Sequence, residues 1–172
     1  MLNIPASSLT AGGLAVGLAI PLHFLAHWLK ANLKSKKKDW KTLVPFAGGV
    51  AYGGMASMCT GGLIAFGAGA ITWLGNGAGS LAMWGVTGGN TTRGVRVTPV
   101  ELSAEGNILM FLLTIIVLGL WKAINSAEKK FATRGIVAGV LLGLSAVLGG
   151  AVAVSVIPAV NNLGARLLGA IG

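Results

Sequence analysis

The sequence predicts an all-α integral membrane protein with about four transmembrane helices. Only 10% of its 172 residues are charged and 54% are apolar, whereas soluble domains carry about 25% charged residues. Residues 42–92 contain no Lys, Arg, Asp or Glu, which suits hydrocarbon because unpaired charge there is expensive. The net charge of +9 is concentrated in short basic segments between apolar ones, as in membrane proteins whose loops set orientation.

The four predicted transmembrane helices belong to a single membrane domain that comprises residues 1–172. They cover residues ~9–29, ~43–66, ~106–124 and ~135–157. Each is long enough to span a hydrocarbon core of about 30 Å. Pro21 should bend the first helix, and a tryptophan next to a lysine marks the basic end of the first and third helices.

The apolar, glycine-rich residues 67–86 are predicted to form a re-entrant or interfacial segment or an extension of the second helix, with a break at Gly-Asn-Gly 75–77. A polar loop, 87–105, follows, with a short extended piece at residues 95–100. Two topologies compete for residues 43–86. Two crossings would place the basic loops 30–41 and 122–134 on opposite sides, and one crossing places them on the same side. The positive-inside rule favours one crossing.

This topology predicts the location of the chain. The basic loops 30–41 and 122–134 are expected in the cytoplasm, and both termini on the non-cytoplasmic side of a bacterial cell (inner) membrane. The first helix is predicted to be retained, because no basic segment precedes it and no signal cleavage site follows it.

Glycines spaced four apart are the predicted helix-packing residues. This spacing lets helix backbones approach closely in membranes. The contact could lie within one chain or between subunits. The predicted residues are Gly13 and Gly17 in the first helix, Gly49 and Gly53 in the second, and Gly135, Gly139 and Gly143 in the fourth.

The basic loop 30–41 is the predicted headgroup or partner contact. Its candidate residues are Lys34, Lys36, Lys37, Lys38 and Lys41. They are predicted to set orientation and to contact anionic headgroups or a cytoplasmic partner. Nucleic acid is not an expected partner, because sustained interleaving of aromatic residues is missing and Trp40 stands alone.

The residues that could perform chemistry are few. His23 and His27 share a helix face and are the weak candidates for a metal or proton site. Their alternative is a pair of interfacial histidines bonded to headgroups or neighbouring helices. No acidic residue lies in a predicted helix core, and no hydrolase, zinc or P-loop motif is present. The sequence therefore predicts no catalytic residue, no cofactor and no enzyme activity.

The functional hypothesis follows from the excess of small-residue helix faces over candidate chemistry. It is a non-enzymatic, oligomerising membrane component of a translocation or envelope-spanning assembly, encoded by a phage or mobile element. The hairpin of residues 9–66 resembles membrane pilin-type subunits in its hydrophobic–basic–hydrophobic pattern. The alternatives are a pore or holin-like channel lined by the glycine-rich stretch, and an accessory subunit of a larger membrane complex. The expected partners are the lipid bilayer and either a second copy or a membrane-complex subunit.

Overall fold

The computed structural model describes residues 9–33, 40–89, 94, 102–145 and 148–171, and this part of the chain contains helices and no strand. The predicted all-α class is therefore confirmed. The predicted extended piece at 95–100 lies outside the described residues. The helices are α1 (Ala11–Asn32), α2 (Leu43–Ala56), α3 (Gly62–Thr87), α4 (Ala104–Ala123), α5 (Ser126–Gly143) and α6 (Leu148–Ile171).

The predicted second helix and the predicted glycine break are both wrong. α2 ends at Ala56 rather than at residue 66, and residues 67–86 lie within one continuous helix. A glycine costs about 1 kcal/mol relative to alanine inside a helix. Here Gly75 packs against Leu141 and Asn76 accepts hydrogen bonds from Thr10. Tertiary contacts of Gly75 and Asn76 thus offset the low helix propensity of this segment, whereas Gly77 faces open space.

The predicted fourth helix, 135–157, is also wrong, because the chain divides it between α5 and α6. α5 begins earlier, at Ser126, because Asn125 caps it: the Asn125 side chain accepts from the Glu128 N–H at 2.9 Å, and the Glu128 carboxylate accepts from the Asn125 N–H at 3.0 Å. This reciprocal pair is a capping box. Pro158, the residue after the predicted end of that helix, lies inside α6.

α2 and α5 lie side by side and run in the same direction. Gly49 meets Ala132 and Gly53 meets Ile136, so the contacts advance along both helices together. α1 runs opposite to α5, because Gly17 meets Leu141 while Phe24, farther along α1, packs edge-on against Phe131 with ring centroids 5.5 Å apart. The α1–α2 and α4–α5 connections therefore lie at the same end of the bundle.

The chain from α2 to α4 keeps returning to the other end, where α1 and α4 begin. Before α3, the Thr60 hydroxyl accepts from the Asn107 amide at 3.2 Å. In the middle of α3, Asn76 accepts from Thr10, and beyond α3 Gly94 forms an antiparallel bridge with Thr10. The contacts before α3, in its middle and after it therefore lie near one end of the bundle.

Among the described residues, two helices are long and apolar enough to cross a membrane, α1 with 22 residues and α4 with 20. At a rise of about 1.5 Å per residue they are about 33 and 30 Å long, comparable to the bilayer core. α2, with 14 residues, is only about 21 Å long.

Candidate functional site

Among the described helices, the most extensive contact joins α2 to α5, and glycines of both helices lie in it. A Cβ atom at Gly49 would fall on the Ala132 carbonyl, and one at Gly53 on the Ile136 carbonyl. In return, a Cβ at Gly135 would fall on the Phe46 carbonyl. Only glycine permits this approach of backbone to backbone. The contact lies within one chain.

This contact is approximately symmetric if each residue of α2 is matched to the residue of α5 that lies 86 positions later in the chain. Exchanging matched residues turns one observed contact into another. The pair Gly49–Ala132 becomes Phe46–Gly135, and both pairs are present. Likewise, Gly53 meets the Ile136 carbonyl and Gly139 meets the Val50 carbonyl. Two helices that exchange contacts in this way are related by an approximate twofold axis along the pair. The third glycine of α5, Gly143, completes the contact against Gly54 and Ser57.

The two predicted packing glycines of α1 serve different neighbours. A Cβ at Gly13 would strike the side-chain oxygen of Asn76 in α3. A Cβ at Gly17 would lie 2.9 Å from the Cβ of Leu141 in α5. The structure thus places all seven predicted glycines in contacts inside the chain, although not in a single contact.

A polar junction fixes the start of α1 on α3. The Thr10 side-chain oxygen accepts from the Gly13 N–H at 3.1 Å and caps the helix. The Thr10 N–H and hydroxyl both donate to Oδ1 of Asn76, each at 3.0 Å. Close by, Gly79 packs against Gly12 backbone to backbone. The junction satisfies polar groups that would be costly to leave unpaired in an apolar bundle.

The start of α4 repeats this junction on α6. Ser103 caps α4 by accepting from the Gly106 N–H at 3.2 Å, and the Ser103 N–H donates to Oδ1 of Asn161 at 3.3 Å. Gly164, three residues after that asparagine, packs against the carbonyl of Glu105. The two junctions therefore share a capping hydroxyl, a glycine three residues later and an Asn-x-x-Gly in the partner helix.

Sequence reasoning missed these junctions, although the sequence carries a signal for them. Leu-Thr-Ala-Gly-Gly at 9–13 and Leu-Ser-Ala-Glu-Gly at 102–106 share the pattern Leu-hydroxyl-Ala-x-Gly. Asn-x-x-Gly occurs at 76–79 and again at 161–164. A search for internal repeats finds both, with separations of 93 and 85 residues.

The end of the bundle with the two hairpin connections is basic. Lys30 and Lys41 flank the first connection, and Lys122, Lys129 and Lys130 flank the second. Five lysines were predicted to contact headgroups or a cytoplasmic partner, and one of them, Lys41, is described and exposed. The other four are Lys34, Lys36, Lys37 and Lys38, which lie outside the described residues.

Tryptophans lie at the same basic end. The rings of Trp28 in α1 and Trp40 before α2 are 5.4 Å apart at their centroids. Trp121 occupies the corresponding place near the end of α4, 93 residues after Trp28.

His23 and His27 stack on an exposed face of α1, with ring centroids 6.2 Å apart. Within the described residues, no group of three or more His, Cys, Asp or Glu lies close enough to hold a metal ion. The pair offers at most two of the four ligands that a structural zinc site needs.

Comparisons with protein families, curated proteins and solved structures find no match to this chain.

Proposed function

We propose that the chain is a non-enzymatic, multi-pass membrane component of a translocation or envelope-spanning assembly. The observation that carries the proposal is the apolar surface that the helices turn outward. On α4, Phe111 is 59% exposed and Leu118 62%, and on α3, Trp73 is 75% exposed. A soluble monomer rarely exposes large contiguous apolar surface, whereas a bilayer covers it.

The proposed topology has four crossings, by α1, α2, α4 and α5. α2 and α5 run in the same direction, so the two basic connections share one side, which the positive-inside rule assigns to the cytoplasm. The contacts before α3, in its middle and after it lie near one end of the bundle, and this supports a single crossing before it. α2 is shorter than the bilayer core is thick. Either the bilayer is thinned locally around α2, or the segments that flank this helix also lie in the lipid.

Assembly with further subunits belongs to the proposal, but the seven glycines do not supply its surface. Their contacts are filled within the chain. A second copy or a larger membrane partner would instead use the outer faces of α3 and α4, where exposed apolar side chains are most concentrated.

Single cysteines test the topology. In a Cys59→Ser background, we expect cysteines at exposed positions Lys41 and Ser126 to react with an impermeant maleimide from the same side of sealed vesicles. A cysteine at Gly89 should react from the opposite side. Labelling of Lys41→Cys and Ser126→Cys from opposite sides would mean that α3 crosses. Release of the protein by alkaline carbonate would overturn the membrane proposal itself.

A pore lined by the glycine-rich stretch is the alternative function. Within α3, Gly75 and Gly79 pack against Leu141 and Gly12, so they do not line an open path inside one chain, whereas Gly67, Gly77 and Gly85 face open space outside it. A conduit would then require several chains. Single-channel recording in planar bilayers tests this alternative, and steady conductance at high protein density would favour it over the assembly component.

A further inference from the structure

We infer that the basic end of the bundle binds the phosphate groups of anionic phospholipids through lysines from both hairpins. The inference rests on the proposed membrane function and names the partner of that end. The α2–α5 glycine contact carries it, because this contact brings two hairpins distant in sequence to one end. Lys30 and Lys41 from one hairpin thereby join Lys122 and Lys130 from the other, and all four are exposed.

The neighbouring tryptophans indicate how deep these lysines lie in the membrane. Tryptophan favours the headgroup level of a bilayer. Trp28 and Trp121 occupy corresponding places in α1 and α4, two residues before Lys30 and one before Lys122. The lysines therefore follow the tryptophans outward along each helix. This is the level at which lipid phosphates lie.

The acidic residue that directly precedes Lys129 and Lys130 is already engaged in a local interaction. Both carboxylate and backbone of Glu128 take part in the capping box with Asn125, which fixes the corner between α4 and α5. Lys129 and Lys130 follow directly on the first turns of α5. The corner thus holds these cations in place on a helix instead of on a loose loop.

The two ends of the bundle differ in charge, which selects the lipid. Residues 30–41 carry a net charge of +5 and residues 122–134 carry +3, whereas residues 87–105 are neutral overall. At the neutral end, Arg166 of α6 is exposed. Each lysine near an anionic surface strengthens binding by roughly fivefold at physiological salt. An anionic leaflet is therefore expected to meet the basic end.

The test uses the full-length protein in neutral detergent micelles, titrated with phosphatidylglycerol or with phosphatidylcholine of the same chains. The readout is the unfolding temperature. We expect phosphatidylglycerol to raise it and phosphatidylcholine to raise it less. The triple variant K122Q/K129Q/K130Q keeps the Asn125–Glu128 capping box and should need at least tenfold more phosphatidylglycerol. Arg166→Gln, at the other end, should need the same amount as the parent protein.

Equal responses to the two lipids, or an unchanged titration of the triple variant, would overturn the inference while leaving membrane insertion intact. Release by carbonate would instead remove the proposed function, so the two failures are distinguishable. A duplex DNA oligonucleotide serves as the competing anion. If it raises the unfolding temperature with the same lysine dependence and phosphatidylglycerol does not, the end binds nucleic acid and the lipid inference is wrong.

Discussion

The two halves of the chain, α1–α3 and α4–α6, repeat one arrangement with different side chains. In each, a capping hydroxyl and a glycine at the start of the first helix meet Asn-x-x-Gly in the third. The middle helices, α2 and α5, meet each other through glycine. These few positions recur while most of the sequence differs. The comparison teaches that the fold depends on close approach and capping at a small set of sites.

The halves differ where the first helix of one meets the middle helix of the other. In α1 the position is Gly17, which lies against Leu141 and Leu142 of α5. The corresponding residue of α4, 93 positions later, is Met110, which is 1% exposed and shares an apolar cluster with Ala56 of α2. The α1–α5 contact is close because Gly17 has no side chain, whereas the long, adaptable side chain of Met110 fills the α4–α2 contact.

Breaking the shared contact should have the largest effect. Gly53→Leu and Gly139→Leu each place a side chain on a backbone carbonyl of the facing helix. Because neither backbone can yield without separating α2 from α5, each variant should lose about 3 kcal/mol or more of unfolding free energy. The measurement is reversible unfolding in detergent micelles followed by circular dichroism.

The control for this experiment lies in the same helix. Gly48 has no atom near the place where its Cβ would stand, so Gly48→Leu should not destabilise the protein and should gain up to about 1 kcal/mol from the removal of a helix-interior glycine. A mild Gly139→Leu beside a severe Gly53→Leu would show that the two sides of the contact are not equivalent.

The second prediction separates the halves. Met110→Ala should cost about 2–4 kcal/mol because it leaves a cavity. Gly17→Met should cost about 1–3 kcal/mol by the opposite mechanism, overpacking against Leu141. Unfolding in micelles measures both, and Phe111→Ala, at an exposed neighbouring position, should change little. If Gly17→Met is tolerated, the close α1–α5 approach does not depend on this glycine.

The sequence was sufficient to predict the helical class. Its glycine spacing left open whether the seven predicted glycines pack within one chain or between subunits, and it did not single out Gly12, Gly106 or Gly164, which also lie in close contacts. Long uncharged apolar runs and glycines four apart are local patterns, so they can be recognised in the sequence without knowledge of the tertiary contacts. The helix through residues 75–77 could not be predicted in this way. Gly75 and Gly77 disfavour a helix locally, and the fit of Gly75 against Leu141, together with the hydrogen bonds from Thr10 to Asn76, offsets that cost.

The corner at Asn125 shows a different kind of failure. Its capping box is a local signal, Asn followed three residues later by Glu, and it was present in the sequence. The surrounding charges led to a loop prediction for residues that form the first turns of α5. Only residues 124–125 connect α4 to α5, so most of the basic segment 122–134 lies within these two helices.

A third prediction compares the two polar junctions. Asn76 accepts two hydrogen bonds at 3.0 Å from Thr10, whereas Asn161 accepts one, at 3.3 Å, from Ser103. Asn76→Leu should therefore cost about 1–2 kcal/mol and Asn161→Leu about 0.5–1 kcal/mol. Exposed Asn162→Leu is the control in the same unfolding assay. Equal losses would indicate that the two starts are held with equal strength.

The smallest effect tests a bond that only one half possesses. Thr114 of α4 donates its hydroxyl proton to the Met110 carbonyl at 2.7 Å, so the Tyr52 hydroxyl, 3.0 Å away, must donate to the Thr114 oxygen. The corresponding positions in the other half are Ala138 and Pro21, which cannot form this bond. A double-mutant cycle with Tyr52→Phe and Thr114→Val should give a coupling of about 0.5 kcal/mol. A coupling near zero would show that the Tyr52–Thr114 bond does not help to join α4 to α2.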